Sequence, residues 1–272
     1  MSATLAPVQE TPGATFSAIR RKRPLVHNIT NLVAMDLAAN LLLAVGASPA
    51  MAHAREEVAE FVRLASALTI NTGTFTQDWM EAAALAASEA GKIGLPWVLD
   101  PVGCGATKFR MSNALRLAGM KPSIIRGNAS EIAALAGASK AGSEGRGVDS
   151  TLAPEAVVEE ARALARESGA VVVVTGKVDI VTDGEVIREV ANGHPYLTRV
   201  TAAGCALTAL TGAAAAIQKD CMQAAVHALA ILGVAGERAA REAKGPGSFR
   251  VALLDALYCL KPEELDEEAR IS

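Results

Sequence analysis

Five features of this chain could act together on a phosphate group. Asp100 and Arg126 lie in or beside short apolar runs, Thr175 ends a longer one, Glu131 follows shortly after Arg126, and a helix is predicted to begin near Ala203. Phosphoryl transfer requires carboxylates that hold a metal ion, cations and N–H groups that neutralise the moving charge, and a group that lines up the attacking hydroxyl. These residue types therefore indicate phosphoryl transfer. A Walker A sequence is absent, which excludes a P-loop enzyme.

The predicted helix start is the strongest candidate for an anion-binding site. Residues 201–205 precede a long run of small apolar helix formers, so the first N–H groups near Ala203 have no partner inside the helix and face an anion with the positive end of the dipole. The small residues Ala202 and Gly204 let an anion approach the backbone. Cys205 lies in the first turn, where the same field favours a thiolate. The alternative is a tightly packed helix with an inert core cysteine.

The segments around these residues alternate between strand and helix patterns. Such alternation predicts right-handed crossovers and a mostly parallel sheet. Two alternating runs around Asp183 and Gly184 predict an antiparallel hairpin at its edge. The sequence therefore predicts an α/β fold with a mostly parallel central sheet, an antiparallel edge hairpin and helices on both faces. Ligands of such sheets bind at the carboxyl ends of the strands, which is where these residues fall: Asn28, Asp100, Arg126 and Asn128.

Structural interpretations remain open for several of these residues. Asp100 precedes a turn with two glycines and could be a turn residue, and that turn lacks the third glycine of a dinucleotide-binding fingerprint. Glu131 lies three residues after Asn128 and could form a capping box with it. Cys104 could be a small turn filler, and His27 could make a structural hydrogen bond.

The amino-acid composition limits the kinds of molecule that this chain is expected to bind. The chain has 272 residues, a formal net charge of -3 and 51% hydrophobic residues, so it has no basic surface for nucleic acid or an anionic membrane. The four cysteines form no C-x-x-C pair, which is typical of a reducing compartment. The N-terminus has no signal-peptide pattern. We therefore expect a cytoplasmic protein that binds small molecules, with no nucleic-acid or membrane partner.

Six motifs together resemble the hydroxyethylthiazole kinase family, whose members have the ribokinase-like three-layer fold. The motifs are residues 24–31 (PLVHNITN), 46–51 (GASPAM), 71–74 (NTGT), 100–106 (DPVGCGA), 126–131 (RGNASE) and 203–205 (AGC). On this basis we predict a disordered N-terminal segment over residues 1–15, a single kinase domain over residues 16–262 and a solvated acidic tail over residues 263–272. Residues 138–152 are expected to form a mobile surface connection.

The resemblance implies a reaction and a set of roles. It implies ATP-dependent phosphorylation of 4-methyl-5-(2-hydroxyethyl)thiazole with Mg²⁺, by a homotrimer whose active sites lie between subunits. The implied roles are nucleotide binding by Arg126 and Thr175, thiazole binding by Met51, Ala202 and Asn28, metal binding by Asp100 and Glu131, and catalysis by Cys205 with the N–H groups of Ala203 and Gly204. Cys205 stands where ribokinases have an Asp base.

One departure and two rival functions accompany this resemblance. The family usually has Gly at the position of Ala202, so a positive φ there would strain the loop. A ribokinase-like ATP-dependent dehydratase of hydrated nicotinamide cofactors shares the scaffold, but it would normally retain Asp at the position of Cys205. A non-catalytic thiazole-binding protein would bind the thiazole without releasing ADP.

Overall fold

The computed structural model describes residues 11–141 and 153–272, and one eight-stranded sheet organises them. The strand order is β2-β1-β3-β4-β5-β6-β7-β8, parallel from β2 to β6 and antiparallel over β7 and β8. The predicted mostly parallel sheet with an antiparallel edge hairpin is confirmed. The strands are β1 Leu25–Ile29, β2 Ser48–Ala50, β3 Ala67–Asn71, β4 Trp97–Asp100, β5 Ile124–Asn128, β6 Val171–Thr175, β7 Asp179–Thr182 and β8 Ile187–Val190.

Eleven α-helices lie in the described residues. They are α1 Pro12–Lys22, α2 Met35–Ala44, α3 Val58–Leu64, α4 Gln77–Ile93, α5 Lys108–Ala118, α6 Ala129–Ala141, α7 Val158–Ser168, α8 Ala203–Ala215, α9 Cys221–Glu242, α10 Pro246–Cys259 and α11 Pro262–Glu268. The predicted connection over residues 138–152 begins later than expected, because α6 continues to Ala141. Residues 142–152 lie outside the described part of the chain.

The helices cover both faces of the sheet. Successive residues of a strand point to opposite faces, so Val171 and Val173 join one apolar core while Val172 and Val174 join the other. The first core contains buried residues of α2, α8, α9 and α10, and the second contains residues of α4, α6 and α7. A parallel sheet buried on both faces requires apolar strands of this kind.

Small residues bring α8 close to the sheet. A Cβ atom at Gly212 would lie 2.5 Å from Thr69 Cγ2 of β3, so only glycine permits this approach. The same helix begins beside the carboxyl ends of the central strands, where α8 contacts β3 and β4. The small residues of α8 therefore allow its N-terminus to lie against the edge of the sheet where ligands of such folds bind.

Both ends of the described chain differ from the prediction. α1 begins at Pro12, within the segment expected to be disordered, because Thr11 caps it and Gly13 donates to Asp266. The expected solvated tail instead forms α11, and Arg238 pairs with Glu264 and Glu268. Among the helices of the described residues, none combines the length and the apolar character that crossing a bilayer requires.

Candidate active site

Polar side chains end four neighbouring parallel strands and therefore meet at one edge of the sheet. Asn71 ends β3, Asp100 ends β4, Asn128 ends β5 and Thr175 ends β6. Asp100 is 0% exposed. A buried carboxylate at a strand end is costly unless it is hydrogen-bonded, neutralised or bound to a cation, so its surroundings matter.

A cavity of about 320 Å³ opens where these strand ends face the start of α8. It brings together the predicted metal and catalytic residues. Its wall contains Asp100, Arg126, Glu131, Ala202, Ala203, Gly204 and Cys205. These residues come from three segments that are far apart in the sequence, and the parallel sheet together with α8 brings them together.

The backbone of the loop that enters α8 is strained, because φ of Ala202 is positive. Ala202 has φ 65° and ψ 7°, in the left-handed region that favours glycine. Ala202 is the residue before the first turn, and no side chain caps the helix. The Ala203 N–H donates to Val200 O at 3.3 Å, so the capacity to bind an anion in the cavity lies with the next N–H groups of α8, those of Gly204 and Cys205.

Arg126 lies between the carboxylate and the helix start. Its guanidinium donates to Thr175 Oγ1 at 2.9 Å and to Asp100 Oδ2 at 3.4 Å. A Cβ atom built on Gly204 would lie 3.0 Å from Nη2 of Arg126. The guanidinium is thus fixed against the backbone of α8, with a positive charge where a phosphate would approach that backbone.

Asp100 is held by three donors on one oxygen and by none on the other. Oδ2 accepts from Asn71 at 2.6 Å and from Thr208 at 2.7 Å, in addition to Arg126. Oδ1 has no hydrogen-bond partner among residues 11–141 and 153–272. Burial raises the pKa of Asp100 to about 6, Arg126 opposes this shift and the carboxylate of Glu131 adds to it. The two carboxylates are therefore close enough to interact.

Glu131 does form the capping box that was the alternative interpretation. Its Oε2 accepts from the Asn128 N–H at 2.9 Å, and Asn128 Oδ1 accepts from the Glu131 N–H at 2.9 Å. Its Oε1 accepts from the Gly103 N–H at 2.8 Å. The same side chain lines the cavity, so capping fixes its orientation there and does not exclude a role in binding a cation.

Cys205 is in the cavity, and its surroundings oppose the thiolate that the helix start favours. Burial raises the pKa of its thiol because a charged sulfur would be poorly solvated here, and the nearby Asp100 carboxylate raises the pKa further. Asn31 Nδ2 lies 3.3 Å from Sγ and also donates to Asn71 Oδ1 at 2.7 Å. A chain of side-chain amides thus connects Cys205 to Asp100.

The sequence alone does not reveal that Asn31, Asn71 and Thr208 hold this hydrogen-bond network together. At Asn31 the pattern predicts only a helix cap, and Asn31 does accept from the N–H groups of Val33 and Ala34. Asn71 belongs to a recognised motif but has no role there, and Thr208 is one of several polar residues in an apolar helix. The position of Asn71 at a strand end is the one available signal.

A larger cavity of about 550 Å³ adjoins the first, and Arg126, Ala203 and Gly204 line both. It contains the predicted nucleotide-binding pair, Arg126 and Thr175. Further lining residues are Lys177, Asp179, Asn192, Gly193, His194, Leu207, Leu229 and Leu232. Burial raises the pKa of Asp179 to about 6, while its carboxylate accepts from the Gly176 N–H. No pattern in the sequence singles out Asp179 or His194.

Two of the predicted substrate-binding residues are not among the residues that line these cavities. Met51 is half-buried just after β2, on the far side of β1. Asn28 is 1% exposed, and its amide donates to Val26 O at 2.8 Å and accepts from Thr69 Oγ1 at 2.7 Å. Asn28 therefore connects the end of β1 to β3, and its contact with the thiazole stays a prediction.

The remaining candidates have structural roles. His27 Nε2 lies 2.7 Å from Ala52 O, which is the structural hydrogen bond that was expected. Cys104 is buried, its thiol donates to Glu131 O at 3.3 Å, and burial raises its pKa to about 12. The turn-filler interpretation of Cys104 therefore agrees with the structure.

Comparison with known proteins agrees with this geometry. The sequence model of the hydroxyethylthiazole kinase family matches residues 16–263. This chain belongs to the hydroxyethylthiazole kinase family. It is 54% identical to the hydroxyethylthiazole kinase of Cereibacter sphaeroides over 259 residues, which cover 95% of this chain and 97% of that one. Identity to the hydroxyethylthiazole kinase of Rhizobium johnstonii is also 54%, over 266 residues that cover 96% and 97% of the two chains.

Solved structures extend the comparison to the fold of this family member. The structure of the hydroxyethylthiazole kinase protein from Pyrococcus horikoshii superposes with a TM-score of 0.89 at 42% identity, covering 96% of this chain and 98% of that one. An ADP complex of Bacillus subtilis pyridoxal kinase superposes with a TM-score of 0.57 at 18% identity, covering 78% and 91%. The second likeness concerns the fold alone, and it confirms the predicted ribokinase-like architecture.

Proposed function

We propose that this chain transfers the terminal phosphoryl group of ATP to the hydroxyethyl group of 4-methyl-5-(2-hydroxyethyl)thiazole, a step in thiamine biosynthesis or salvage. Membership of the family supports this activity. The observation that carries the proposal is the 320 Å³ cavity whose wall joins Asp100, Arg126, Glu131 and Cys205 to the N-terminus of α8. Such a cavity can neutralise a phosphoryl group as it moves between two oxygens.

The two adjoining cavities suggest how the substrates are arranged. ATP occupies the larger one with its phosphates towards Arg126 and Gly204, which line both cavities. Thr175 keeps the guanidinium of Arg126 in place through its 2.9 Å hydrogen bond. The thiazole alcohol reaches the smaller cavity from the side of Ala202. Met51 contacts the thiazole in a homotrimer with active sites between subunits, and Asn28 supports that wall through β1 and β2.

The donor set fits Mg²⁺. Asp100 Oδ1 has no partner within the described residues, and each oxygen of Glu131 accepts only one hydrogen bond there. Hard cations prefer such oxygen ligands, and Mg²⁺ usually keeps waters and substrate phosphates beside one or two carboxylates. Residues 11–141 and 153–272 contain no cluster of three or more His, Cys, Asp or Glu that could hold a metal ion. Bound between these two carboxylates, Mg²⁺ would reduce the negative charge of the phosphate oxygens.

The raised pKa of Cys205 favours positioning over proton abstraction. At neutral pH the thiol stays protonated, so it orients the hydroxyl of the thiazole alcohol towards the phosphorus. The oxygen of the alcohol forms the new bond while the bond to the ADP oxygen breaks, and the hydroxyl proton leaves to the product phosphate or to water. A loose transition state requires little help from a base. The N–H groups of Gly204 and Cys205 stabilise the transferring group, and that of Ala203 joins them if its 3.3 Å hydrogen bond to Val200 O gives way.

One assay separates this function from its two rivals. The purified protein is incubated with ATP, Mg²⁺ and the thiazole alcohol, and ADP release and the phosphorylated thiazole are measured. A dehydratase would release ADP only with hydrated nicotinamide cofactors, and a binding protein would take up the thiazole without ADP release. In the same assay we expect Cys205→Asp to keep or raise turnover and removal of Arg126 or Asp100 to abolish it. A Cys205→Asp protein that binds both substrates normally and is inactive would contradict the positioning role.

Two further parts of the proposal rest on the sequence alone. The homotrimer follows from the family resemblance, and sedimentation of the purified protein tests it. The cytoplasmic location follows from the use of cysteine, and fractionation of the cells that make the protein tests it.

A further inference from the structure

The C-terminal residues 268–272 lie against the segment that forms one wall of the larger cavity. Glu189 and Ser272 exchange two backbone hydrogen bonds of 2.8 and 3.0 Å, and Ala191 donates to Arg270 O at 2.9 Å. Val190 and Ile271 form an antiparallel bridge. These residues therefore add a short strand to the free edge of β8, directly before the cavity residues Asn192 and Gly193 begin.

Asn192 is fixed by the same C-terminal segment. Its Nδ2 donates to Glu268 O at 3.0 Å, and its Oδ1 accepts from the Arg270 N–H at 2.7 Å. On the other side α9 packs directly on it, since a Cβ atom at Gly233 would lie 2.5 Å from Asn192 Cβ. Asn192 is 4% exposed although it lines the cavity. Its position is thus determined by α9 and by residues 268–272 together.

Gly193 is held through an ion pair that reaches the C-terminal segment. Its N–H donates to Glu237 Oε1 at 2.7 Å, and Glu237 forms a salt bridge with Arg270 through both carboxylate oxygens. Arg270 Nη2 also donates to Ala191 O at 2.7 Å. Gly193 has φ 142°, a conformation that favours glycine. Arg270 itself is not among the residues that line the cavity.

The wall of the larger cavity that contains Asn192 and Gly193 lies away from the site of phosphoryl transfer. The two cavities share Arg126, Asn128, Leu197, Thr198, Ala203 and Gly204, whereas Asn192, Gly193, Leu229, Leu232 and Gly233 line only the larger one. If the phosphates of ATP lie at the shared residues, the nucleoside must lie against this second group. Two leucines on that wall provide an apolar surface suited to a flat base.

We propose that Arg270 is a positioning residue for nucleotide recognition, which acts by holding Asn192 and Gly193 against the nucleoside of ATP. The inference rests on the proposed function, because it takes the larger cavity as the nucleotide site. Arg270 contacts neither substrate. Its loss removes the salt bridge to Glu237 and the hydrogen bond to Ala191 O. Asn192 keeps its contacts with the backbone of residues 268 and 270, but Glu237, which holds the Gly193 N–H, is no longer fixed by a partner cation, so the wall is loosened.

The test compares Arg270→Ala with the wild-type chain and with Arg116→Ala. Arg116 forms a similarly exposed two-contact ion pair with Glu81 and lines neither cavity, so it controls for loss of surface stability. We expect Arg270→Ala to raise KM for ATP by about fivefold, which is the effect expected from the loss of one typical hydrogen bond. KM for the thiazole alcohol and kcat should stay within about twofold. Arg270→Lys should restore part of the loss by retaining the charge opposite Glu237.

Tripolyphosphate separates a positioning role towards the nucleoside from a general loss of structure, which would weaken the binding of ATP and tripolyphosphate alike. It has phosphates but no nucleoside, so its inhibition constant should be equal for wild type, Arg270→Ala and Arg116→Ala. Equal KM values for ATP in wild type and Arg270→Ala would overturn the inference, as would equal weakening of ATP and tripolyphosphate. The dissociation constant of ATP is measured in parallel. A wild-type chain that binds ATP without phosphorylating the thiazole still tests Arg270, whereas one that binds no ATP refutes both the inference and the proposed function.

Discussion

Gly204→Ala is expected to separate activity from stability. The new Cβ atom would lie 3.0 Å from Nη2 and 3.2 Å from Nη1 of Arg126, whereas ordinary contacts begin at 3.4 Å. The guanidinium must therefore move by about 0.4 Å. Its hydrogen bond to Thr175 is 2.9 Å and its contact with Asp100 is already 3.4 Å, so a shift of this size breaks the second contact before the first.

The expected loss is in catalysis, because in the proposed site Arg126 and the N–H of residue 204 bind the same phosphate. Misplacing a charged group by up to 1 Å costs as much as about 100-fold in rate, so we expect kcat/KM to fall by about 10-fold to 100-fold. The free energy of unfolding should change by less than about 1 kcal/mol, since alanine is the better helix former and the displaced neighbour is a flexible side-chain end. Steady-state kinetics and chemical denaturation measure the two quantities on one preparation.

Gly91→Ala is the matched control. Gly91 is an exposed helical glycine of α4, and a Cβ atom added there would have no neighbour within 4 Å, so alanine should stabilise by about 0.5–1 kcal/mol and leave kinetics unchanged. Unchanged kcat/KM in Gly204→Ala, with both proteins folded, would refute the close approach of Arg126 to α8 as a feature of the working site. Loss of folding in Gly204→Ala alone would refute the claim that the neighbouring guanidinium can move aside.

Two more predictions concern strain and charge in the same region. Ala202→Gly removes a left-handed strain of about 1–2 kcal/mol and costs about 0.4–1 kcal/mol through the freer unfolded chain, so thermal denaturation should show a gain of up to about 1.6 kcal/mol. The same change at the right-handed, buried Ala206 should destabilise the fold. Asp179 has its pKa raised from 3.8 to about 6, so the folded chain binds a proton more tightly than the unfolded chain, and the free energy of unfolding falls as pH rises through this window. Asp179→Asn should reduce that fall in pH-dependent denaturation, and an unaltered slope would contradict the assignment.

The sheet could be predicted from the sequence because its signals are local. Each parallel strand is a short apolar run followed by a helix pattern, and the hairpin around Asp183 and Gly184 has its own turn residues. The carboxyl ends of parallel strands share one edge, so Asp100 and Arg126 could be predicted to lie together from strand order alone. The start of α8 at Ala203 likewise follows from composition.

The features that sequence reasoning missed all depend on distant partners. The acidic residues after Pro262 are typical of a solvated tail, but the basic partner of Glu264 and Glu268 is Arg238 on α9. The helix start alone predicts a thiolate at Cys205, whereas burial and the carboxylate of Asp100 raise the pKa of the thiol. Asn31 and Asn71 acquire their roles only when β1 and β3 are paired. No local pattern contains these contacts.

The site retains polar atoms that the protein alone does not satisfy, and this has a functional reason. Asp100 Oδ1 and Arg126 Nε are two of the five buried side-chain atoms without a partner in the described residues, and both side chains line the smaller cavity. Each such group costs about 1–3 kcal/mol, a cost that the surrounding apolar cores must offset. A site whose charged groups were already fully paired within the protein would gain little interaction energy with the phosphoryl group during transfer. A carboxylate oxygen held without a donor, beside a guanidinium 3.4 Å from the other oxygen of the same carboxylate, instead keeps its interaction energy for the cation and phosphates of the proposed reaction. Only energy of that kind can lower the barrier to transfer.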